Sequence, residues 1–144
     1  MKTHIDIAAL IPHQGSMCLL HEVISWDDNH IRCSAISHRD PQHPLRNAQG
    51  LLAVCGIEYG AQAIAVHGGL LADNPHVPRA GYLANAKDVS WTIARLDTIS
   101  DDLIVDAKKL ISESGRSIYE FTLSTQERIL VQGRVAVVLE GESA

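Results

Sequence analysis

One acidic side chain interrupts the longest apolar stretch of the sequence, and it is the first candidate for chemistry. Residues 51–68 read LLAVCGIEYGAQAIAVHG, and Glu58 is the one Asp, Glu, Lys or Arg among them. Burying a carboxylate costs free energy unless a partner compensates, so a carboxylate in this setting is a candidate for acid–base work. Gln62 follows four residues later and shares its face on a helix. The alternative is a structural carboxylate bound by a backbone amide or an arginine.

Eight histidines are present in the sequence, and two of them stand in a polar loop before this stretch. His38 and His43 lie in residues 38–50, which form a tether long enough to bring either ring to the start of the helix. A histidine near a buried carboxylate makes an acid–base pair whose proton affinities differ, as general acid–base catalysis requires. His67 lies about half a helical revolution away from Glu58, so we expect it to face elsewhere.

The backbone at the start of the helix offers a third element of chemistry. N–H groups around Ala53 and Val54 have no acceptor within the helix and lie at the positive end of its dipole. Groups of this kind polarise a carbonyl as an oxyanion hole does. We therefore expect Ala53 and Val54 to contact substrate, together with Gln62 and His38.

Two other chemistries compete for the same residues. The spacing of His38, Asp40 and His43 fits a loop metal site, yet the surrounding pattern of supporting residues is missing, and we expect no metal. Cys55 is a possible nucleophile beside His43, although a buried cysteine usually behaves as a small hydrophobe.

The elements that position these residues follow from the hydrophobic pattern. Residues 51–68 are apolar on every side and predict a buried helix, in which Gly56 and Gly60 let another backbone approach closely. A short helix is expected over residues 3–11, between Thr3 and Pro12, and loops over 38–50 and 72–79. Six segments have the alternation or the flanking turns of strands; they are residues 17–26, 30–37, 81–91, 103–112, 117–124 and 129–139.

These elements predict an α+β architecture, with an antiparallel sheet wrapped around one long helix and its last four strands in a meander. A length of 144 residues predicts one domain over 1–144. A helix this apolar needs more cover than one small sheet gives, so we expect a dimer.

Composition excludes several classes of function. Seventeen acidic residues against twelve basic ones, a formal charge of −5, predict no nucleic-acid partner. The three cysteines have no CxxC spacing, so neither a disulfide framework nor a cysteine zinc site is expected. No secretory pattern or membrane-spanning apolar run is present, which predicts a cytoplasmic protein that does not enter a membrane.

The helix and its surroundings resemble a known family of enzymes. LLAVCGIEYGAQA is similar to the MPGVLxxEAxAQ helix of the hotdog-fold 3-hydroxyacyl-[acyl-carrier-protein] dehydratases, with Glu58, Ala61 and Gln62 on the family's E, A and Q. IPHQGSMCLLHEVISW resembles the family's LPHRxPxLLxDRV segment. The family's HFPG histidine precedes its acid by fourteen residues, whereas His43 precedes Glu58 by fifteen.

The chain resembles the ApeP-like dehydratases of aryl-polyene biosynthesis more closely. The matching stretches are HRDPQHPLR at 38–46, AVCGIEYGAQAIAVHG at 53–68 and GYLA at 81–84. This resemblance implies a hotdog fold and a second hotdog subunit. It also implies a substrate carried on acyl carrier protein, in fatty-acid-like or aryl-polyene synthesis.

The resemblance further implies elimination of water from a 3-hydroxyacyl thioester, without metal or organic cofactor. His43 would take the proton α to the carbonyl, and Glu58 would protonate the departing hydroxyl. In such dimers the histidine and the acid come from different subunits. The chain departs from the family where HFPG becomes HPLR and where Ala53 replaces a glycine, so His38 is the alternative base. A hotdog thioesterase, or a non-catalytic subunit beside an active dehydratase, are the alternative functions.

Overall fold

A single helix lies against a six-stranded sheet in the computed structural model. The model describes residues 5–11, 15–71, 81–113, 115–126 and 128–139. Helix α1 spans Gly56–Leu71, preceded by a 3₁₀ turn at Ala53–Cys55. The strands are β1 (Glu22–Trp26), β2 (His30–Ala35), β3 (Gly81–Trp91), β4 (Leu103–Glu113), β5 (Arg116–Thr125) and β6 (Arg128–Leu139). In this part of the chain, no helix is long and apolar enough to cross a bilayer.

The strands form one antiparallel sheet, but they do not follow one another across it. The order is β1-β2-β4-β5-β6-β3. Only β4, β5 and β6 form a meander, so the expectation of a four-strand meander is wrong for β3, which pairs with β6 at the far edge. The chain must therefore cross from β2 through α1 to the opposite edge. This crossing lays the helix over the sheet between its two edges.

Gly56 and Gly60 let α1 pack closely against the sheet, although side chains meet them and not the backbone that was predicted from the sequence. A Cβ added to Gly60 would lie 2.6 Å from the Phe121 ring, and one added to Gly56 would lie 3.0 Å from Val131. Neither distance accommodates a methyl group without movement of the sheet, because core side chains are packed near crystal density. The glycines are therefore positions where the helix touches β5 and β6.

The helix faces a core of aliphatic side chains, which come from the sheet and from the chain that precedes β1. Ile7, Leu10 and Leu19 are buried in it, together with Tyr59 and Phe121. The sheet contributes inward-facing positions that alternate along each strand. Aliphatic side chains that the strands bury in this core include Ile31, Leu103, Val105, Leu123, Leu130, Val131 and Val135.

Several predicted boundaries differ from those observed. The strand expected over 17–26 begins only at Glu22, because Gly15–Met17 forms a 3₁₀ turn instead. The helix expected over 3–11 reduces to a 3₁₀ turn at Ile7–Ala9. Thr3, Pro12 and the loop 72–79 lie outside the described residues. Alternation along β4 predicts Ile111 on the buried face with Leu103 and Val105, but Ile111 is exposed, because a bulge between Lys109 and Ile111 shifts the register there.

Candidate active site

Glu58 lies in the first turn of α1 and is held by the side chain behind it. The Gln62 amide nitrogen donates to a Glu58 carboxylate oxygen at 3.1 Å, which confirms the shared helix face. Gln62 is itself fully buried, because its oxygen accepts from the Leu19 N–H at 2.8 Å and its nitrogen also donates to the Met17 carbonyl. Gln62 thus orients Glu58 against the backbone of the segment before β1. Glu58 is only partly buried, and one side of its carboxylate group is fixed.

His43 lies in the loop before the helix, and its ring is buried against Tyr59, the residue next to Glu58. Nε2 of His43 is 3.0 Å from the Tyr59 hydroxyl oxygen. The Leu45 backbone N–H donates to Nδ1 of the same ring at 3.0 Å. Tyr59 has no exposed surface, and its hydroxyl lies 2.8 Å from the Ser37 hydroxyl. Ser37 in turn donates to the Leu19 carbonyl at 2.7 Å.

Only one assignment of protons satisfies this whole chain of hydrogen bonds. A backbone N–H always donates, so Nδ1 of His43 is an acceptor and the neutral ring carries its proton on Nε2. Because the Ser37 proton is directed at Leu19, Tyr59 donates to Ser37 and accepts from His43. The protein thus holds His43 as one tautomer of the neutral imidazole.

Burial keeps the two rings of this chain uncharged. Desolvation lowers the pKa of His43 below its ordinary value, and the nearby positive charge of Arg46 lowers it further. Desolvation also raises the pKa of the Tyr59 hydroxyl to about 12. A neutral imidazole and a protonated phenol are therefore the forms present near neutral pH.

A backbone hydrogen bond joins the start of the helix to the segment after β3. This bond determines which N–H groups stay available to a ligand. The Ala53 N–H already donates to the Ala94 carbonyl at 3.0 Å. Within the described residues, the Val54 N–H donates to no backbone or side-chain acceptor, and Val54 is exposed. Of the two predicted carbonyl-polarising groups, that of Val54 is the one left for a ligand.

An ion-pair cluster holds the backbone just before the helix. Asp97 accepts from the Leu51 N–H at 2.9 Å and pairs with Arg95 and, at 3.5 Å, with Arg46. The Arg95 hydrogen bond is the main cause that lowers the pKa of Asp97 to about 2. Gly50, at a φ of +101°, packs against this pair so closely that a Cβ would lie 2.7 Å from the Arg95 guanidinium. The cluster fixes the direction in which the chain enters α1.

His38 anchors a different loop. Its fully buried ring donates from Nε2 to the carbonyls of Ile99 and Asp101, at 3.1 and 3.0 Å. Its Nδ1 is buried without a hydrogen-bond partner in the described structure. His38 lies near enough to His43 to affect its pKa, but these bonds join the loop at Ser37–Arg39 to the loop before β4.

The remaining sequence candidates lie apart from one another. His67 is buried at the other end of α1, between Tyr119 and the Asp27 carbonyl, and away from the face of Glu58 as expected. Burial raises the pKa of the Cys55 thiol, which makes it a poor nucleophile. Among the described residues, no three histidine, cysteine, aspartate or glutamate side chains could hold a metal ion, so the loop site at His38, Asp40 and His43 does not form.

Tyr59 and Ser37 were not identified from the sequence. Tyr59 had a usable signal, because it is the one aromatic residue in 51–68 and a buried tyrosine hydroxyl needs a hydrogen-bond partner. Ser37 had none, since a serine at the end of a strand is ordinary. Only the fold brings Ser37 over the helix.

The ApeP-like family, described as ApeP dehydratase, matches residues 5–143 of the chain. No curated protein sequence matches it. Among solved structures, the dehydratase heterocomplex ApeI:P from Xenorhabdus doucetiae superposes with a TM-score of 0.86 at 26% identity, covering 97% of this chain and 94% of that chain.

More distant structures share the fold. An uncharacterised protein from Pyrococcus horikoshii has a TM-score of 0.65 at 13% identity, over 97% of this chain and 96% of that chain. A thioesterase from Staphylococcus aureus has a TM-score of 0.62 at 12% identity, over 82% of this chain and 91% of that chain. With the observed helix and sheet, these similarities confirm the hotdog fold predicted from the sequence.

Proposed function

The chain belongs to the ApeP-like dehydratase family, and from that membership we propose that it eliminates water from 3-hydroxyacyl thioesters carried on acyl carrier protein. The product is a trans-2-enoyl thioester. The observation that carries the proposal is the Glu58 carboxyl group, which Gln62 holds at the start of α1 in a dehydratase-family chain. A fixed carboxyl group at a helix start is suited to proton transfer at a bound acyl group.

Each group in the proposed site has one task. A base removes the proton from Cα, the Cα–Cβ double bond forms, and the Cβ–O bond breaks. Glu58 gives its proton to the departing hydroxyl, which leaves as water. The Val54 N–H, which donates to no acceptor among the described residues, stabilises negative charge on the thioester oxygen as the α proton leaves. No step of this elimination needs a metal or an organic cofactor.

His43 is the base in this proposal, and its hydrogen bonds set a condition on that role. Burial keeps its imidazole neutral, as a base must be. Its one lone pair, on Nδ1, already accepts from the Leu45 N–H. His43 therefore accepts a proton only if the turn at Leu45 releases Nδ1. His38 is the alternative base, since its buried Nδ1 has no hydrogen-bond partner in the part of the chain that the structure describes.

The occupied lone pair of His43 favours a second candidate function. In it, the chain is a hotdog subunit that lacks a working base and supports an active dehydratase partner. The solved relative from Xenorhabdus doucetiae is itself a dehydratase heterocomplex. We extend that assembly to this chain, with the exposed edge of β3 as the place where a second hotdog subunit, or a second copy, continues the sheet.

The test is turnover of 3-hydroxyacyl carrier protein by the purified chain, alone and with a second hotdog subunit of the dehydratase type. Loss of one water from the acyl group, measured by intact-protein mass spectrometry, supports the dehydratase. Release of free carrier thiol instead would identify a thioesterase and overturn the proposal.

Variants of this chain separate the two candidates. If the complex dehydrates and both H43A and E58Q of this chain abolish turnover, the chain contributes both catalytic groups. If only the complex turns over and neither variant of this chain matters, the supporting role is correct. H67Q, which alters a buried histidine at the far end of α1, is the matched control.

A further inference from the structure

We infer that Tyr59 is a positioning residue for His43: its hydroxyl group, fixed by Ser37, holds the imidazole in one orientation with the proton on Nε2. The kinetic part of this inference rests on the proposed function. The structural part does not, because it concerns only the hydrogen bonds of the chain itself. Tyr59 touches His43 rather than substrate, so it acts through the ring.

The first support is that the Tyr59 hydroxyl has both of its partners at bonding distance. It lies 3.0 Å from Nε2 of His43 and 2.8 Å from the Ser37 oxygen. A phenol that bonds on two sides cannot rotate its proton freely, so its oxygen lone pair stays directed at His43. The two rings are also near parallel, 30° apart with centroids at 6.1 Å.

The second support is the direction of every bond in the chain. The Ser37 proton points to the Leu19 carbonyl, which cannot donate, and this forces Tyr59 to donate to Ser37. At the other end, the Leu45 N–H occupies Nδ1. The opposite tautomer of His43 would set two hydrogens against each other at Leu45 and, because Tyr59 donates to Ser37, two lone pairs against each other between Nε2 and the Tyr59 oxygen. The five groups thus admit one arrangement.

The third support is burial. Tyr59 has no exposed surface and His43 is 4% exposed, so water does not compete for the Nε2 proton. Without the Tyr59 hydroxyl, the Nε2–H of a buried ring would have no acceptor. The His43 ring would then rotate to another orientation, and its Nδ1 and Nε2 atoms would no longer occupy fixed positions.

The experiment uses the full chain labelled with ¹⁵N-histidine, together with the complete dehydratase. In the wild-type chain we expect the nitrogen shifts of His43 to show a protonated Nε2 and an unprotonated Nδ1, with a slowly exchanging Nε2 proton. In Y59F we expect that proton to exchange rapidly with water. S37A is also expected to speed exchange of the Nε2 proton with water, but by less than Y59F. Y119F is the matched control, since Tyr119 bonds the other buried histidine.

The kinetic arm distinguishes positioning from folding. In Y59F we expect kcat to fall roughly tenfold to a hundredfold with little change in KM. The acidic limb of the pH profile should move to lower pH, because the hydroxyl stabilises the protonated ring more than the neutral one. The charged or titratable neighbours Arg46, Asp40 and His38 are unchanged in this variant. Y119F should leave kcat and the limb in place.

Specific results would overturn the inference. A wild-type ring protonated on Nδ1 would contradict the assigned tautomer, and an unchanged Nε2 proton in Y59F would remove the role of Tyr59. A complex in which Y59F matches the wild type in both kcat and pH profile would also reject it. If the wild-type complex does not dehydrate at all, the proposed function fails, while the nitrogen shifts still decide the position of His43.

Discussion

The two ends of helix α1 each bury a histidine against a tyrosine hydroxyl, yet the hydrogen bonds run in opposite directions. At the C-terminal end, His67 donates from Nε2 to the Asp27 carbonyl at 2.7 Å, so Tyr119 must donate to Nδ1, at 2.6 Å. At the N-terminal end, His43 donates to Tyr59 and its Nδ1 faces a backbone N–H. Burial lowers the pKa of both histidines.

The difference shows that burial and a tyrosine partner do not by themselves mark a functional histidine. The His67 ring joins the β1–β2 turn to β5 through its hydrogen bonds to the Asp27 carbonyl and the Tyr119 hydroxyl. The His43 ring contacts Tyr59, the residue next to Glu58 in the first turns of α1. The N-terminal end differs in having Glu58 in the first turn of α1 and, within the described residues, a Val54 N–H that donates to no acceptor.

The largest effect is expected from Glu58. E58Q keeps the shape of the side chain and its contact with Gln62 but cannot supply a proton, so kcat of the complete dehydratase should fall on the order of 10²-fold or more. H67Q, at the other end of the helix, should leave kcat nearly unchanged, because His67 bonds Tyr119 and the Asp27 carbonyl and neither is part of the proposed site. Steady-state rates with a 3-hydroxyacyl carrier protein measure both. Equal losses of kcat in E58Q and H67Q would show that the two ends of the helix do not differ in their effect on turnover.

The next largest effect is expected from glycine substitutions, which test how closely each half of the helix packs against the sheet. G60A places a methyl group against Phe121 and should lower the free energy of unfolding by about 1–3 kcal/mol. G68A is the matched control, because nothing lies within 4 Å of its added Cβ. Alanine favours the helix there, so G68A should raise stability by up to about 1 kcal/mol. Urea unfolding measures both, and a neutral G60A would contradict the close packing.

Acidification should destabilise the protein through both ends of the helix alike. The pKa values of His38, His43 and His67 are lowered by burial. Below about pH 6.5 the unfolded chain therefore binds protons that the folded chain does not. The free energy of unfolding should fall between pH 7 and pH 5, by up to about 1.4 kcal/mol per pH unit for each histidine.

H67Q removes one of these three contributions and should flatten the pH dependence of the unfolding midpoint. An unchanged slope in H67Q would mean that His67 titrates alike in both states.

The smallest effect is expected from the tyrosine hydroxyl at the structural end. Y119F removes one hydrogen bond to a neutral ring and should cost about 0.5–1.5 kcal/mol of unfolding free energy. Its rate should stay that of the wild type, whereas Y59F should lose both stability and rate. Thermal unfolding and turnover measured on the same preparations compare the two. A rate loss in Y119F would mean that the far end of the helix also acts on the site.

Much of the fold was readable because its signals are local. The apolar run at 51–68 predicted the helix, and turn residues bounded strands close to their observed limits at β3, β5 and β6. The order of the strands in the sheet could not be predicted from such local signals. Whether β3 pairs with β4 or with β6 depends on the path of the chain around the helix, and no neighbouring residues encode that choice.

The candidate site shows the same division between what local sequence predicts and what the tertiary structure decides. Glu58 and Gln62 were predicted together because helix periodicity relates residues four apart, and their hydrogen bond follows from it. The engagement of the Ala53 N–H with Ala94 was not predictable, because the acceptor lies 41 residues away along the chain. Of the Ala53 and Val54 N–H groups, tertiary structure thus left that of Val54 without an acceptor among the described residues.

The sequence by itself determined that this protein buries one helix carrying a carboxyl group and an amide on one face, and that a loop histidine precedes it. Residue type and local periodicity are enough for that, since both act within a few turns of chain. Only the tertiary structure decided which histidine nitrogen carries the proton. That choice depends on Leu45, Tyr59 and Ser37, whose groups meet because the loop folds over the helix, and hydrogen-bond direction is a property of the groups that meet.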